Sequence, residues 1–298
     1  MSLLDRAVVT LLPAVPKRVV QTLSSRYIAG SDLADARRVV ARLNAEGKLA
    51  TVDVLGEEIT HADEAAAITR AYLDVLDAID EDGLDANVSV KLTGLGLKLD
   101  PALARENVRA IAARGTFVRI DMEDSSTTDA TLELYRDLVA EGCDNLGVVL
   151  QATLRRTVDD ARGLAGANVR LCKGIYIEPP ELAYRGFEDV RQSYLRALDV
   201  LLDGGAYVGI ATHDEYLVDR GIAAVRERDL EPSEYELQML LGVRPELGDR
   251  IVADGHRLRI YVPFGRHWYE YSLRRLQENP KIAGYVAGDL GRSLLGRG

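Results

Sequence analysis

Short runs of apolar and β-branched residues alternate along the chain with longer segments of helical period. The longer segments repeat apolar residues at spacings of three and four, as amphipathic helices do. Two of them, residues 61–83 and 188–205, end in glycine, which is common just after the C-terminus of a helix. The candidate strands are the eight apolar runs, at residues 50–55, 87–92, 116–122, 146–152, 168–174, 207–213, 235–241 and 258–264.

Eight strands that are each followed by a helix, within about 250 residues, predict an α/β protein with a (β/α)8 barrel. An additional helix is predicted before the barrel, between an N-cap at Ser31 or Asp32 and a C-cap at Gly47. No linker, repeat or low-complexity segment divides the chain, so we predict a single domain. Its predicted parts are N-terminal helices over residues 1–49, the barrel over 50–280 and a C-terminal helix over 281–298.

Composition and charge exclude several classes of function. The chain has 298 residues, of which 47% are apolar, and this is enough to bury a large core. A formal net charge of −10 argues against binding to nucleic acid and against general attraction to anionic membranes. The two cysteines lack CxxC spacing and the four histidines are scattered, so we predict neither a disulfide framework nor a metal site. We therefore expect a cytoplasmic protein.

The N-terminal stretch contains a short apolar run that Pro13 and Pro16 interrupt. It is shorter than the roughly 20 apolar residues of a membrane-spanning helix, and no clear cleavage site follows it. We expect a helix that packs on the body of the protein. A weak peripheral contact with the inner face of a membrane is the alternative.

A polar side chain lies at the carboxyl end of almost every predicted strand. In barrels of this kind the chemistry takes place at the carboxyl ends of the strands. From the second strand to the eighth, the residues at these ends are Lys91, Asp121, Glu123, Gln151, Arg170, Lys173, Tyr176, Thr212, His213, Gln238 and Tyr261. The cations among them predict a mouth that binds an anionic ligand. The chain has no HxH pair at a strand end, no GxGxxG loop and no serine elbow.

The segment after the eighth run carries Tyr271, Arg274, Arg275 and Glu278 at spacings of three, four and seven. These spacings place the side chains on one face of a helix, where a core-facing helix would carry apolar residues. Two arginines on such a face indicate either a ligand site or an Arg275–Glu278 ion pair on a solvated face.

These segments resemble, in order and at every strand end, the signature segments of the proline dehydrogenase family. The matching segments are VSVKLTGLG, IDMED, VVLQA, VRLCKGIY, ATHD, YELQMLLGV, RIYVPFG and YSLRRLQEN. The resemblance covers residues 50–280 and is closest to the short, monofunctional bacterial type, because no aldehyde dehydrogenase domain follows. The sequence departs from the pattern at Leu92-Thr93, where many relatives have Pro-Ser, and at Ile175, where Ala is usual.

The resemblance implies that FAD binds noncovalently at the barrel mouth, without a Rossmann domain. The residues that it assigns to the cofactor are Gln151, Arg170, Lys173, Thr212, His213 and Glu278. Arginine and lysine can balance the charge of the FAD pyrophosphate, and a cation near the flavin ring favours its reduced form. For His213, a core histidine held by Asp214 is the alternative.

The resemblance also implies that the last barrel helix lies across the mouth, so that Tyr271 and its neighbours point into the site. Two guanidinium groups and one ammonium group would then grip the carboxylate of L-proline, while Asp121 and Glu278 would hold these cations in place. The catalytic residues implied are Lys91, Asp121, Tyr261, Arg274, Arg275 and Glu278. The substrate-binding residues implied are Lys91, Arg274, Arg275, and Tyr176, Leu240 and Tyr261 as walls around the pyrrolidine ring.

The implied reaction is hydride transfer from C5 of L-proline to flavin N5. It gives 1-pyrroline-5-carboxylate, in the first step of proline degradation to glutamate, and a quinone is the expected electron acceptor. Two alternatives from other classes stay open, namely a Schiff-base aldolase with Lys173 or Lys91 as the covalent amine, and a non-enzymatic barrel that binds anions. An absorbance spectrum separates them, because a flavoenzyme is yellow.

Overall fold

Eight parallel strands close into a barrel in which each strand pairs with the next along the chain and the last pairs with the first. In the computed structural model, which describes residues 26–269, the strands are β1 (Leu49–Val54), β2 (Ala86–Val90), β3 (Val118–Ile120), β4 (Leu146–Gln151), β5 (Asn168–Cys172), β6 (Tyr207–Ala211), β7 (Tyr235–Leu240) and β8 (Leu258–Phe264). At the closure, β1 pairs along its whole length with residues 259–264 of β8. The predicted (β/α)8 barrel is therefore confirmed.

The helices alternate with the strands as the periodicity predicts. They are α1 (Leu33–Ala45), α2 (Ala62–Asp82), α3 (Pro101–Ala112), α4 (Thr128–Ala140), α5 (Thr157–Arg162), α6 (Phe187–Asp203), α7 (Glu215–Arg226) and α8 (Pro245–Ala253). Helix α1 precedes the barrel and has Asp32 at its N-cap. Its C-cap is Glu46, one residue before the predicted Gly47, which follows with φ of 74°. Glycine tolerates this left-handed conformation better than other residues, so it marks the end of the helix.

Several strands are shorter than the apolar runs that predicted them. Strand β3 ends at Ile120 and β6 ends at Ala211, so that Asp121, Thr212 and His213 lie in the loops just beyond. Backbone pairing nevertheless continues into these loops, since the amide of Asp121 donates to the carbonyl of Val90 at 2.8 Å. The strand-end side chains are thus held by a rigid edge.

Side chains alternate between two environments along each strand. Val88, Val118 and Val169 face the helices and are fully buried. Ser89 and Arg119, which lie opposite each other across β2 and β3, face the barrel axis. Branched apolar side chains fill most barrels of this class, whereas charged and hydroxyl groups occupy this axis. A buried polar interior requires hydrogen-bond partners for each group, and these partners connect the strands below the mouth.

Predictions on the two ends of the chain lie outside the described residues. These are the helices of residues 1–25, the last barrel helix with Arg274 and Arg275, and the C-terminal helix of 281–298. The single domain over residues 1–298 includes these ends and stays a prediction. Among residues 26–269, no helix is both long and apolar enough to cross a bilayer.

Candidate active site

Four polar side chains from four strand ends meet at the barrel mouth. Nζ of Lys91, just after β2, lies 2.8 Å from each carboxylate oxygen of Asp53 in β1. The same Nζ lies 3.2 Å from the hydroxyl of Tyr261 in β8. That hydroxyl donates to Oδ2 of Asp121, just after β3, at 2.8 Å. Because the carboxyl ends of parallel strands meet at one edge, residues that are far apart in the sequence, such as Lys91 and Tyr261 at a separation of 170 positions, form one contiguous group.

Arg170 of β5 lies next to this group and uses all three of its guanidinium nitrogens. Nη1 donates to Oδ1 of Asp121 at 2.6 Å, Nη2 to Oγ of Ser89 at 2.9 Å, and Nε to Oε1 of Gln238 at 2.5 Å. The guanidinium carbon lies 5.3 Å from the centre of the Tyr261 ring, within the range of a cation–π contact. Asp121 is therefore shared between Arg170 and Tyr261, and it connects β8 to β5 at the mouth.

Charge in the described part of the barrel interior is nearly balanced. The cations are Lys91, Arg119, Arg170 and Arg259, and the carboxylates are Asp53, Asp121 and Glu236. Burial, together with the neighbouring charges of Arg170 and Arg259, lowers the pKa of Arg119 to about 9, so Arg119 stays cationic at neutral pH. Glu123 adds a further buried carboxylate at the mouth, so an anionic ligand would be favoured through direct contact with the cations there and not through an excess of positive charge.

Gln151 at the end of β4 is oriented by a set of buried hydrogen bonds between loops at the mouth. Its Nε2 donates to the carbonyl of Glu123 at 2.8 Å. The carboxylate of Glu123 accepts the backbone N–H of Thr93 at 2.9 Å and also the Thr93 hydroxyl. Oγ1 of Thr93 in turn accepts the N–H of Glu58 at 3.0 Å. Burial raises the pKa of Glu123. Thr93 thus carries a hydroxyl, as serine would at this position of the family pattern.

A second charged group lies at the ends of β5 and β6. The carboxylate of Asp214 accepts from Arg191 at 2.7 and 2.9 Å and from Lys173 at 3.4 Å, and the Arg191 hydrogen bond lowers the pKa of Asp214. The Arg191 guanidinium lies 4.2 Å from the ring centre of Phe187. Nε2 of His213 accepts the backbone N–H of Leu240 at 2.8 Å. Asp214 thus binds these two cations, and the His213 ring accepts from the backbone of β7.

The sequence matches the model of the proline dehydrogenase family over residues 36–287. It is 35% identical over 274 residues to "Proline dehydrogenase" of Deinococcus radiodurans, a match that covers 89% of this chain and 88% of that protein. It is 36% identical over 267 residues to "Proline dehydrogenase 1" of Bacillus subtilis strain 168, with 88% of each chain covered. This chain belongs to the proline dehydrogenase family.

Solved structures agree with this family at the level of the fold. Proline utilization A from Bdellovibrio bacteriovorus, inactivated by N-propargylglycine, superposes with a TM-score of 0.81 at 23% identity and covers 90% of this chain. Proline utilization A from Corynebacterium freiburgense gives a TM-score of 0.75 at 22% identity and covers 95%. The chain spans 36% and 34% of those longer proteins, and at this identity the likeness shows a common barrel fold.

The structure brings together only some of the residues that the family resemblance selects. Lys91, Asp121, Arg170 and Tyr261 form one bonded group. Gln151, Lys173, Thr212, His213 and Leu240 lie at neighbouring strand ends, and half-buried Tyr176 lies in the loop after β5. Arg274, Arg275 and Glu278 lie outside the described residues, so their roles stay predictions.

Asp53 and Gln238 bond to this group, but the sequence does not single them out as site residues. Asp53 lies inside an apolar run, although a carboxylate in such a run is itself a signal of a buried partner. Gln238 lies at a strand end without an indicated role. Both were missed because their partners, Lys91 and Arg170, come from distant parts of the chain.

Proposed function

We propose that this protein is a flavin-dependent proline dehydrogenase that oxidises L-proline to 1-pyrroline-5-carboxylate, the first step of proline degradation to glutamate. The observation that carries the proposal is the bonded group at the mouth, in which Asp121 is shared between Arg170 and Tyr261 and lies 4.0 Å from Nζ of Lys91. Family membership and this cationic mouth support the same substrate, a small amino acid with a carboxylate.

The proposed cofactor is FAD, and the donors at the mouth fit its chemistry. Arg170, Gln151 and Lys173 offer guanidinium, amide and ammonium groups, which suit the polar edge of a flavin and a pyrophosphate. Gly174 has φ of 98°, and a Cβ there would lie 2.5 Å from Cγ2 of Thr153 and 3.2 Å from Gln151. Because Gly174 has no side chain, only its backbone lies beside the amide of Gln151. Thr212, His213 and Glu278 complete the proposed cofactor contacts.

When bound, FAD supplies the acceptor for the hydride that leaves C5 of proline. The ring nitrogen first gives its ammonium proton to solvent, and its lone pair then forms the C5=N double bond of a protonated imine as the hydride leaves C5. Cations that bind the carboxylate lower the pKa of the nearby amine and favour its neutral form. Lys91 takes this role in the proposal together with Arg274 and Arg275, and the Asp53 carboxylate fixes the position of its ammonium group.

Tyr261 has two roles in the proposal. Its hydroxyl bridges Lys91 and Asp121, and its ring covers the guanidinium of Arg170. With Leu240 and Tyr176 it would form the walls around the pyrrolidine ring and exclude water from the site.

The Schiff-base alternative is less consistent with these contacts. A covalent lysine must be neutral to attack a carbonyl, whereas the buried carboxylate of Asp53 stabilises the ammonium form of Lys91. Lys173 likewise pairs with Asp214, at 3.4 Å. Both pairings suit lysines that act as cations.

The absorbance spectrum of the purified protein tests the proposal. We expect a yellow protein with noncovalent FAD that L-proline bleaches under anaerobic conditions. Borohydride with substrate should not trap a covalent adduct. A colourless protein that cannot be reconstituted with FAD would overturn the proposed function.

A quinone is the proposed final electron acceptor, and the proposed location is the cytoplasm, with a weak peripheral contact at the inner face of the membrane as the alternative. Reoxidation of the bleached protein by a soluble quinone tests the first point. Sedimentation with vesicles of anionic and neutral lipid tests the second. Failure to reoxidise would contradict the first point, and recovery of the protein with the vesicles would favour the alternative.

A further inference from the structure

A chain of buried hydrogen bonds crosses the barrel beneath the mouth. Nε of Arg170 donates to Oε1 of Gln238 at 2.5 Å, and Nε2 of Gln238 donates to Oε1 of Glu236 at 2.5 Å. The same Glu236 oxygen accepts from Nε of Arg259 at 2.8 Å, and Nη1 of Arg259 donates to the carbonyl of Ala50 at 2.7 Å. All four side chains are buried. This series of hydrogen bonds thus connects β5 through β7 and β8 to β1.

The donor and acceptor groups of its two neighbours, Arg170 and Glu236, fix the orientation of the Gln238 amide. Arg170 can only donate, so the amide must present its oxygen to Nε. The Glu236 carboxylate is charged, since Arg259 and other cations hold its pKa low against the effect of burial, so the amide must present its nitrogen there. A carboxylate at position 238 would offer no donor to Glu236, and an apolar side chain would offer neither group. An amide satisfies both neighbours at once.

The barrel leaves space for this amide at a glycine on the adjacent strand. A Cβ at Gly209 of β6 would lie 2.5 Å from Nε2 and 2.9 Å from Cδ of Gln238. Any side chain at position 209 would therefore displace the amide. Gly209 pairs with both Arg170 and Glu236 in the strand register, so the missing side chain lies between the two groups that the amide connects.

The Gln238 amide also determines which N–H groups of Arg170 form hydrogen bonds within the protein. A guanidinium group has five N–H donors in one plane. Gln238, Asp121 and Ser89 accept three of them, one from each nitrogen, from three different directions. Among residues 26–269 these are the three hydrogen-bond acceptors of Arg170, and two N–H groups remain for a ligand. Loss of the Nε contact would allow the plane to rotate about its stem.

We propose that Gln238 is a positioning residue, which holds the guanidinium of Arg170 in the orientation that contacts the flavin. Gln238 acts through Arg170 and does not itself contact substrate or cofactor. This inference rests on the proposed function, because it takes FAD as the ligand of Arg170. Its consequence is that a change at Gln238 alters the flavin itself, beyond any effect on folding.

Three variants test the inference in the FAD-loaded, full-length protein. Gln238→Met keeps the length of the side chain and removes both hydrogen bonds. Gly209→Ala displaces the amide without changing Gln238 or Arg170, and it provides the measurement if Gln238→Met does not fold. Tyr207→Phe is the matched control, because it removes a hydrogen bond of 3.1 Å to Oε2 of Glu236 and leaves the Arg170–Gln238 contact in place.

The measurements are the midpoint potential of the bound flavin, the FAD dissociation constant and the melting temperature. In Gln238→Met we expect a roughly tenfold loss in the preference for reduced over oxidised flavin, which lowers a two-electron potential by about 30 mV. Gly209→Ala should shift the potential in the same direction. Tyr207→Phe should change the preference less than twofold, although it lowers the melting temperature.

Unchanged potential and FAD affinity in both Gln238→Met and Gly209→Ala would overturn the inference and leave Gln238 as a packing residue. If only the wild-type protein binds FAD and both variants lose it, Gln238 is needed for cofactor binding, as the inference requires. A wild-type protein that binds no FAD would overturn the proposed function and the inference together. The wild-type measurement therefore distinguishes the two failures.

Discussion

Both carboxylate oxygens of Asp53 lie 2.8 Å from Nζ of Lys91, and the Asp53 side chain is fully buried. The hydroxyl of Tyr72, from helix α2, lies 3.3 Å from Oδ1 of Asp53 and donates to the carbonyl of Ser89 at 2.6 Å. Lys91, the lysine proposed to bind the carboxylate of L-proline, is thus paired with the buried carboxylate of Asp53. A lysine has a long, flexible side chain, so this contact restricts its ammonium group to one place at the mouth.

The first prediction concerns this pair. Asp53→Asn keeps the shape of the side chain but leaves the ammonium of Lys91 without its charge partner. Removal of one partner from a buried ion pair typically costs about 3 to 5 kcal/mol. We expect a lower melting temperature and a rise of roughly tenfold or more in the Michaelis constant for L-proline, equivalent to at least about 1.4 kcal/mol. FAD content should stay near normal.

Asp219→Asn is the matched control for Asp53→Asn. Asp219 pairs with Arg250 at 3.4 Å on the surface, where 64% of its side chain is exposed. Such pairs contribute about 0.2 to 1 kcal/mol, so neither kinetics nor melting temperature should change much. Wild-type kinetics in Asp53→Asn would show that the position of Lys91 does not depend on this carboxylate.

The second prediction concerns Arg170, which is buried and donates to three strands. Arg170→Met should disturb flavin retention or redox behaviour more than selectivity among proline analogues, because the guanidinium is expected at the flavin. Loss of one partner of a desolvated charge pair typically costs about 2 to 5 kcal/mol, and here Asp121 loses its nearest cation while Lys91 stays 4.0 Å away. The visible spectrum and the flavin potential are the measurements. A change confined to the Michaelis constant for proline would contradict the assigned role.

The third prediction concerns the two arginines after the eighth strand. Arg274→Ala or Arg275→Ala should each lower catalytic efficiency on L-proline by roughly thirtyfold or more, because an unpaired carboxylate is costly in a desolvated site. Flavin content should stay near normal. Pyrrolidine lacks the carboxylate, so it should be a very poor substrate of the wild-type protein.

The efficiency ratio between proline and pyrrolidine gives the decisive comparison for these variants. It should fall in both variants, since the group that recognises the carboxylate has been removed. An unchanged ratio would show that Arg274 and Arg275 do not contact the carboxylate, and would favour the ion pair on a solvated face.

The fourth prediction concerns pH and His256, far from the proposed chemistry. Nδ1 of His256 lies 2.6 Å from the hydroxyl of Tyr235, and its buried Nε2 has no partner among the described residues. Burial lowers the pKa of His256, the charge of Arg226 lowers it further, and Asp254 opposes the shift. The folded protein therefore keeps this ring neutral at a pH where the unfolded chain is protonated.

The contribution of His256 to stability is fully present above about pH 6.5 and decreases as the pH falls below that value, by at most about 1.4 kcal/mol per unit. His256→Phe should remove this dependence between about pH 8 and about pH 5 in urea unfolding experiments. Tyr235→Phe keeps the imidazole buried and should retain the dependence. A wild-type slope in His256→Phe would assign the acid sensitivity to other groups.

Local patterns were sufficient to predict the barrel. Short apolar and β-branched runs indicate the strands, and glycines such as Gly83, which caps α2 with φ of 60°, mark the helix ends. These signals depend on the nearest few residues, whose spacing decides which side chains can share a buried face. The strand ends that collect at the mouth followed from the fold class alone, because parallel strands in a barrel point the same way.

Only the tertiary structure decided how the site residues are connected. Arg170 contacts Ser89, Asp121 and Gln238, which are 81, 49 and 68 residues away in the sequence. Asp53 in the sequence is one polar residue in an apolar strand, and its pairing with Lys91 depends on the register of β1 against β2. Register and strand tilt arise from the packing of the whole barrel. The sequence by itself therefore determined which residues reach the mouth, whereas the closed barrel decided which of them are partners.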